Sequence, residues 1–192
     1  MCPGGIIVNA SAYKNINIVN GMSLYQRDGK FANAACVAGV NLDELLHSKL
    51  SPLQALEWLE VLERKFSSRY GNKAPYCSVL NFINKREPNT IAESSYSMGL
   101  APAPLWEQLP CDISNSIRIA LKDFSTKIAD FDTGNIIGLE TKTSSPIQVI
   151  REKNGLCSGF ENLFVIGEGS GYSGGIISSA VDGLKTAMTL VD

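Results

Sequence analysis

The residues best suited to chemistry lie near the end of the chain, in Gly167-Glu168-Gly169-Ser170-Gly171-Tyr172-Ser173-Gly174-Gly175. An apolar run, Asn162-Leu163-Phe164-Val165-Ile166, enters this loop and is expected to be a strand. Ile176, Ala180, Leu184 and Met188 leave it at helical spacing, so a helix is expected over 174–190. Strand, glycine loop and helix in that order suit the binding of an anion such as a phosphate. Glycines let the backbone turn sharply and approach a ligand, while the free amides of a helix's first turn carry partial positive charge. Gly169, Gly171 and Gly174 satisfy the spacing G-x-G-x-x-G. A dinucleotide-binding unit also requires a second strand and an acidic residue about 20 positions further on, and the sequence stops before either. The loop therefore reads either as an anion site whose sheet comes from upstream or as a tight strand-to-helix turn without a ligand.

A second cluster, Glu140-Thr141-Lys142-Thr143-Ser144-Ser145-Pro146, gathers a carboxylate, a cation and four hydroxyls beside a proline. Hydroxyls and amides at a strand end, where proline stops ladder pairing, can face a ligand; a solvated strand edge is the competing reading. Arg27-Asp28 could bind an anionic substrate or a nicotinamide phosphate, against an exposed turn pair. Cys2 invites a redox reading, against that of a small buried side chain. The five cysteines (Cys2, Cys36, Cys77, Cys111, Cys157) form no C-x-x-C pair, and His47 is the single histidine, read as a helix-end residue. Neither a disulfide framework nor a zinc site is indicated.

These motifs carry a resemblance. The glycine loop, followed by Ser179-Ala180-Val181-Asp182-Gly183, resembles the C-terminal signature of a family of bacterial FAD-dependent dehydrogenases, mostly uncharacterised. Cys2-Pro3-Gly4-Gly5, then Asn20-Gly21-Met22-Ser23 with Arg27-Asp28 and Ala32-Asn33, then Glu140 to Pro146, fall in the order that family shows. The resemblance implies the C-terminal part of a two-domain FAD-binding fold whose complete chains are several hundred residues long. It implies that Gly167, Glu168, Gly169, Gly171, Tyr172, Gly174, Gly175 and Ile176 close over the flavin side of FAD, with Glu168 as an acceptor for a ribityl hydroxyl. Arg27, Lys142, Thr143, Ser144 and Ser145 form a weaker substrate-side set. The family more often carries arginine where Lys142 stands, and lysine offers a point charge rather than a fork. An unknown small-molecule substrate, a nicotinamide donor and a homo-oligomer belong to the same expectation; catalytic residues stay unassigned and no metal is expected. The chain alone is expected to lack FAD and activity, because the part that holds the adenosine half is missing. The alternative is a non-enzymatic cap or interaction module with no cofactor of its own, docking a partner through residues 71–110.

The elements that must position these residues point to an α+β (mixed α/β) fold, with flavin-side strands, a helical cap and a closing helix. Residues 1–40 read as a strand-and-turn segment with tight turns at Asn20-Gly21 and Asp28-Gly29, residues 41–130 as a helical cap, and residues 131–192 as flavin-closing strands, glycine loop and final helix. A short helix is expected over 42–50. A longer one runs from Ser51 to Arg69, with Ser51 as cap, Pro52 at the first helical position and Gln54 three after the cap. Residues 71–110 read as mainly loop, with a helical turn near 79–83, and a helix capped by Asp112 follows to Ile128. Strands are expected over 135–143 and 147–151. The 192 residues carry 17 Lys and Arg against 19 Asp and Glu, which argues against nucleic acid or an anionic membrane as partner. No run approaches the ~20 apolar residues of a membrane span, and no signal peptide is apparent, so a cytoplasmic protein is expected.

Overall fold

A computed structural model describes residues 2–191; Met1 and Asp192, the outer ends of the first and last expected segments, lie outside the described residues. The fold is α+β, and its contacts divide the chain into two units: Met1–His47 with Leu59–Thr141, and Ser48–Trp58 with Lys142–Asp192.

The first unit opens with strand β1 (Cys2–Asn9), flanked antiparallel by β2 (Val19–Ser23) and β3 (Phe31–Asn33). Asn20-Gly21 is no turn: both residues lie inside β2, opposite Val8 and Ile7. Asp28 and Gly29 lie in the loop before β3, whose tight turn comes earlier, at Tyr25 and Gln26. The glycines here solve a packing problem. A Cβ on Gly21 would stand 2.1 Å from Asn33 Oδ1, and one on Gly5 would stand 2.6 Å from Asn33 Nδ2. The Asn33 amide thus lies against bare backbone and donates to the Ile6 carbonyl at 3.3 Å. Gly4, at φ +53, passes so close to the Arg27 carbonyl that a Cβ would meet it at 1.9 Å. Packing among themselves accounts for Gly5, Gly21 and Asn33 of these motifs.

Helix α1 (Leu42–Leu45) is shorter than expected, whereas α2 (Pro52–Tyr70) starts where the capping signal places it. Gln54 N donates to Ser51 Oγ at 3.3 Å and Ser51 N to Gln54 Oε1 at 2.9 Å, both bonds of a capping box. The segment 71–110, expected as mainly loop with a helical turn near 79–83, has that turn and a long irregular stretch over 85–99, but its remaining residues supply the buried centre of the unit. Strand β4 (Ala74–Ser78) runs parallel to β5 (Leu100–Pro102) and antiparallel to β6 (Asn135–Ile137), with α3 (Val79–Asn84) and α4 (Leu105–Gln108) beside it. Pro75, in the central strand, lacks an N–H, yet its carbonyl accepts from Gly138 N at 3.0 Å.

Helix α5 (Cys111–Lys127) follows Pro110, not Asp112, at its N-cap. Asp112 sits in the first turn, where its charge faces the positive end of the helix. Phe66, Cys77, Val79, Phe82, Leu105, Trp106 and Leu121 form one core cluster. Val19, Tyr76, Tyr96 and Leu100 form a second.

The second unit holds the first turns of α2, helix α6 (Ile176–Val191) and, between residues 142 and 175, a largely irregular chain. The strands expected over 147–151 and 162–166 reduce to single bridges, Arg151 with Cys157 and Leu156 with Phe164. The expected strand 135–143 ends at Ile137. Few apolar side chains are buried in this unit, so short apolar runs have too little sheet to join. Close approach compensates: Gly155, at φ +91, leaves the space that the buried Thr186 of α6 occupies, 2.5 Å from where a Cβ would be.

Candidate functional site

The loop of residues 167–175 is built around one buried side chain. Ser170, with no exposed surface, closes a single 3-10 turn over Glu168–Ser170 by donating to the Gly167 carbonyl at 2.6 Å. Its own carbonyl accepts from Val149 N at 2.9 Å. Gly167 (φ 75, ψ −159) and Gly171 (φ 82) occupy conformations that L side chains rarely adopt. A Cβ on Gly171 would also lie 2.4 Å from the Ile147 carbonyl. These two glycines are required by the fold of the loop itself.

Gly169 and Gly174 differ. A Cβ at either would meet nothing within 4 Å, and Glu168, Gly169, Tyr172, Gly174 and Gly175 are exposed. The loop runs into α6, where the amides of Ile176, Ile177 and Ser178 have no acceptor among the described residues. Gly175 N is already engaged, donating to Ser178 Oγ at 3.1 Å. Unpaired first-turn amides, an exposed helix end and glycines bare on their open side can receive an anion at close range.

Sequence reasoning missed the ion pair that fastens this loop. Arg151 grips Asp182 of α6 bidentately, Nη2 to Oδ1 at 2.7 Å and Nη1 to Oδ2 at 3.0 Å. Asp182 Oδ2 also accepts from Gly167 N at 2.8 Å, and Arg151 Nη1 donates to the Val165 carbonyl at 2.9 Å. The Tyr172 ring lies 4.0 Å from the guanidinium carbon. Hydrogen bonds from Arg151, and then from the Gly167 amide, hold the Asp182 carboxyl below the usual carboxylate range. The available signal was the polar spacing Ser179, Asp182, Gly183 and Thr186 along one helix face, the face that α6 turns inward.

Of the weaker candidates, Ser145 is drawn to the loop. Its hydroxyl lies 2.8 Å from the Ile147 carbonyl and 3.4 Å from that of Gly169. Lys142, Thr143 and Ser144 are exposed. Thr141 donates to Glu63, a fully buried carboxylate of α2, so this member of the motif has a packing role. Arg27 belongs to the other unit and is exposed, at φ 54. His47 is exposed just past α1. Burial pushes the Cys77 thiol up to about 12, making it inert. Among the described residues no group of three His, Cys, Asp or Glu could hold a metal, and no helix is long and apolar enough to cross a membrane.

Residues 1–143 of the 192 match the family described as FAD-dependent protein, C-terminal domain-like. The chain belongs to this family. A protein of Clostridium beijerinckii described as uncharacterized is 34% identical over 198 residues, an alignment covering 100% of this chain and 37% of the relative. The chain thus spans well under half the length of the curated relative it matches. The FAD-dependent family match ends before the glycine loop, whereas the alignment to the relative runs through it.

Proposed function

We propose that this chain is the C-terminal part of a bacterial FAD-dependent oxidoreductase of the dehydrogenase type, cytoplasmic, and that residues 167–176 receive the flavin side of FAD. The observation that carries the reading is the open glycine loop on a helix end with three unpaired amides, in a chain of an FAD-dependent family. The residues present fit the group. Gly169 and Gly174 leave room where a side chain would stand, and the amides of Ile176, Ile177 and Ser178 offer donors to a phosphate or to the electron-rich edge of a reduced ring. Glu168, exposed at the loop's first turn, is suited to accept from a sugar-like hydroxyl. When bound, FAD would supply the hydride chemistry, and the protein would supply position and electrostatics. Lys142, Thr143, Ser144, Ser145 and Arg27 remain proposed substrate-side residues, with a nicotinamide as proposed donor.

The experiment is Gly174→Val in the full-length protein that carries this chain. A branched side chain at an open position should leave folding nearly unchanged yet obstruct the ligand. Flavin content well below the parent's is expected; equal content in both preparations would refute the reading.

A further inference from the structure

We propose that Asp182 and Arg151 form a latch that presets the glycine loop for its ligand, which makes them positioning residues for the flavin; this rests on the flavin reading above. The latch touches the loop at three points. Arg151 holds the Val165 carbonyl at the entry, Asp182 holds the Gly167 amide at the first turn, and the guanidinium face carries the Tyr172 ring beyond that turn. Asp182 itself is part of α6, so the same carboxylate fixes the loop to the helix whose first amides would complete the site. These side-chain contacts run from the pair to Val165, Gly167 and Tyr172, and none of them occupies the amides of Ile176, Ile177 and Ser178.

The geometry differs from that of three exposed-side ion pairs elsewhere in the chain. Lys30 with Glu93 and Lys127 with Asp123 are exposed at both ends, and Arg64 with Glu60 is exposed at Arg64 and half-buried at Glu60, the kind of pair that contributes little. Arg151 and Asp182 side chains are 8% and 20% exposed and meet as a planar fork. Gly167 sits at φ 75, ψ −159, a region essentially reserved for glycine, and a flexible loop would leave it readily without a fixed acceptor for its amide. Holding that conformation before the ligand arrives removes an ordering cost from binding.

The test uses the full-length protein stripped of flavin and titrated with FAD by fluorescence, alongside thermal melting of the apoprotein and hydrogen exchange of residues 165–175. Asp182→Asn keeps an acceptor for Gly167 but loses the charged fork. It should weaken FAD affinity about tenfold or more, the size expected for hydrogen bonds to charged groups. It should also speed exchange in the loop, while the apoprotein melts within a few degrees of the parent. Arg151→Lys, which keeps the charge and loses the fork, should act in the same direction and carries the test if Asp182→Asn does not fold. Affinities within about twofold of a parent that does bind FAD would overturn the latch and leave the flavin reading standing. A parent without FAD affinity would overturn both.

Discussion

At the scale of single residues, the glycines of one loop separate into two kinds. Gly171 combines φ +82 with a would-be Cβ contact of 2.4 Å to backbone. Gly171→Ala should therefore lower the unfolding free energy by about 1–3 kcal/mol, read in a denaturant titration of the isolated chain. Gly174 has neither constraint, and Gly174→Val should change that titration by no more than about 0.5 kcal/mol. Cys77 provides a pH-dependent check on the first unit. Its folded pKa of about 12 lies above the ordinary thiol value of 9.0. The stability from keeping this thiol neutral is thus fully present below about pH 9 and lost as pH rises toward about pH 12. Alkylation at pH 8 should label the exposed Cys36 and Cys111 but not Cys77 until denaturant is added.

At the scale of elements, legibility followed how local the signal is. The start of α2 was readable because its capping box is written within four residues, and Ser51→Ala should cost about 1 kcal/mol in thermal or chemical unfolding. The final helix was likewise readable from its spacing. Strand β4 was hidden because only five residues, one of them Pro75, lie amid Asn, Ser and Gly; its burial comes from partners at Leu100–Pro102 and Asn135–Ile137 that no window spans. The glycine loop could be picked out by composition. Its fastening left one trace, the polar face of α6 that carries Asp182, but the partner could not be read, since Arg151 lies 31 residues away and meets Asp182 only through the fold. Asn20-Gly21 shows the opposite failure. A strong turn dipeptide is absorbed into a strand because a glycine there makes room for Asn33.

At the scale of the whole molecule, α6 is turned inside out. Ser179, Asp182, Gly183 and Thr186 face inward, while Ile176, Ile177, Leu184, Met188 and Val191 are each more than half exposed. A monomer tolerates such a face poorly, so the isolated chain should self-associate in light scattering, and Leu184→Glu should shift it toward monomer. A monodisperse monomer for the unsubstituted chain would contradict that expectation. The central claim, that this chain serves an FAD-dependent oxidoreductase through residues 167–176, is tested most directly by purifying the full-length protein, releasing its flavin and identifying it. The account predicts FAD at about one per chain, reduced sharply by Gly174→Val; a colourless full-length protein that takes up no FAD on titration would contradict it.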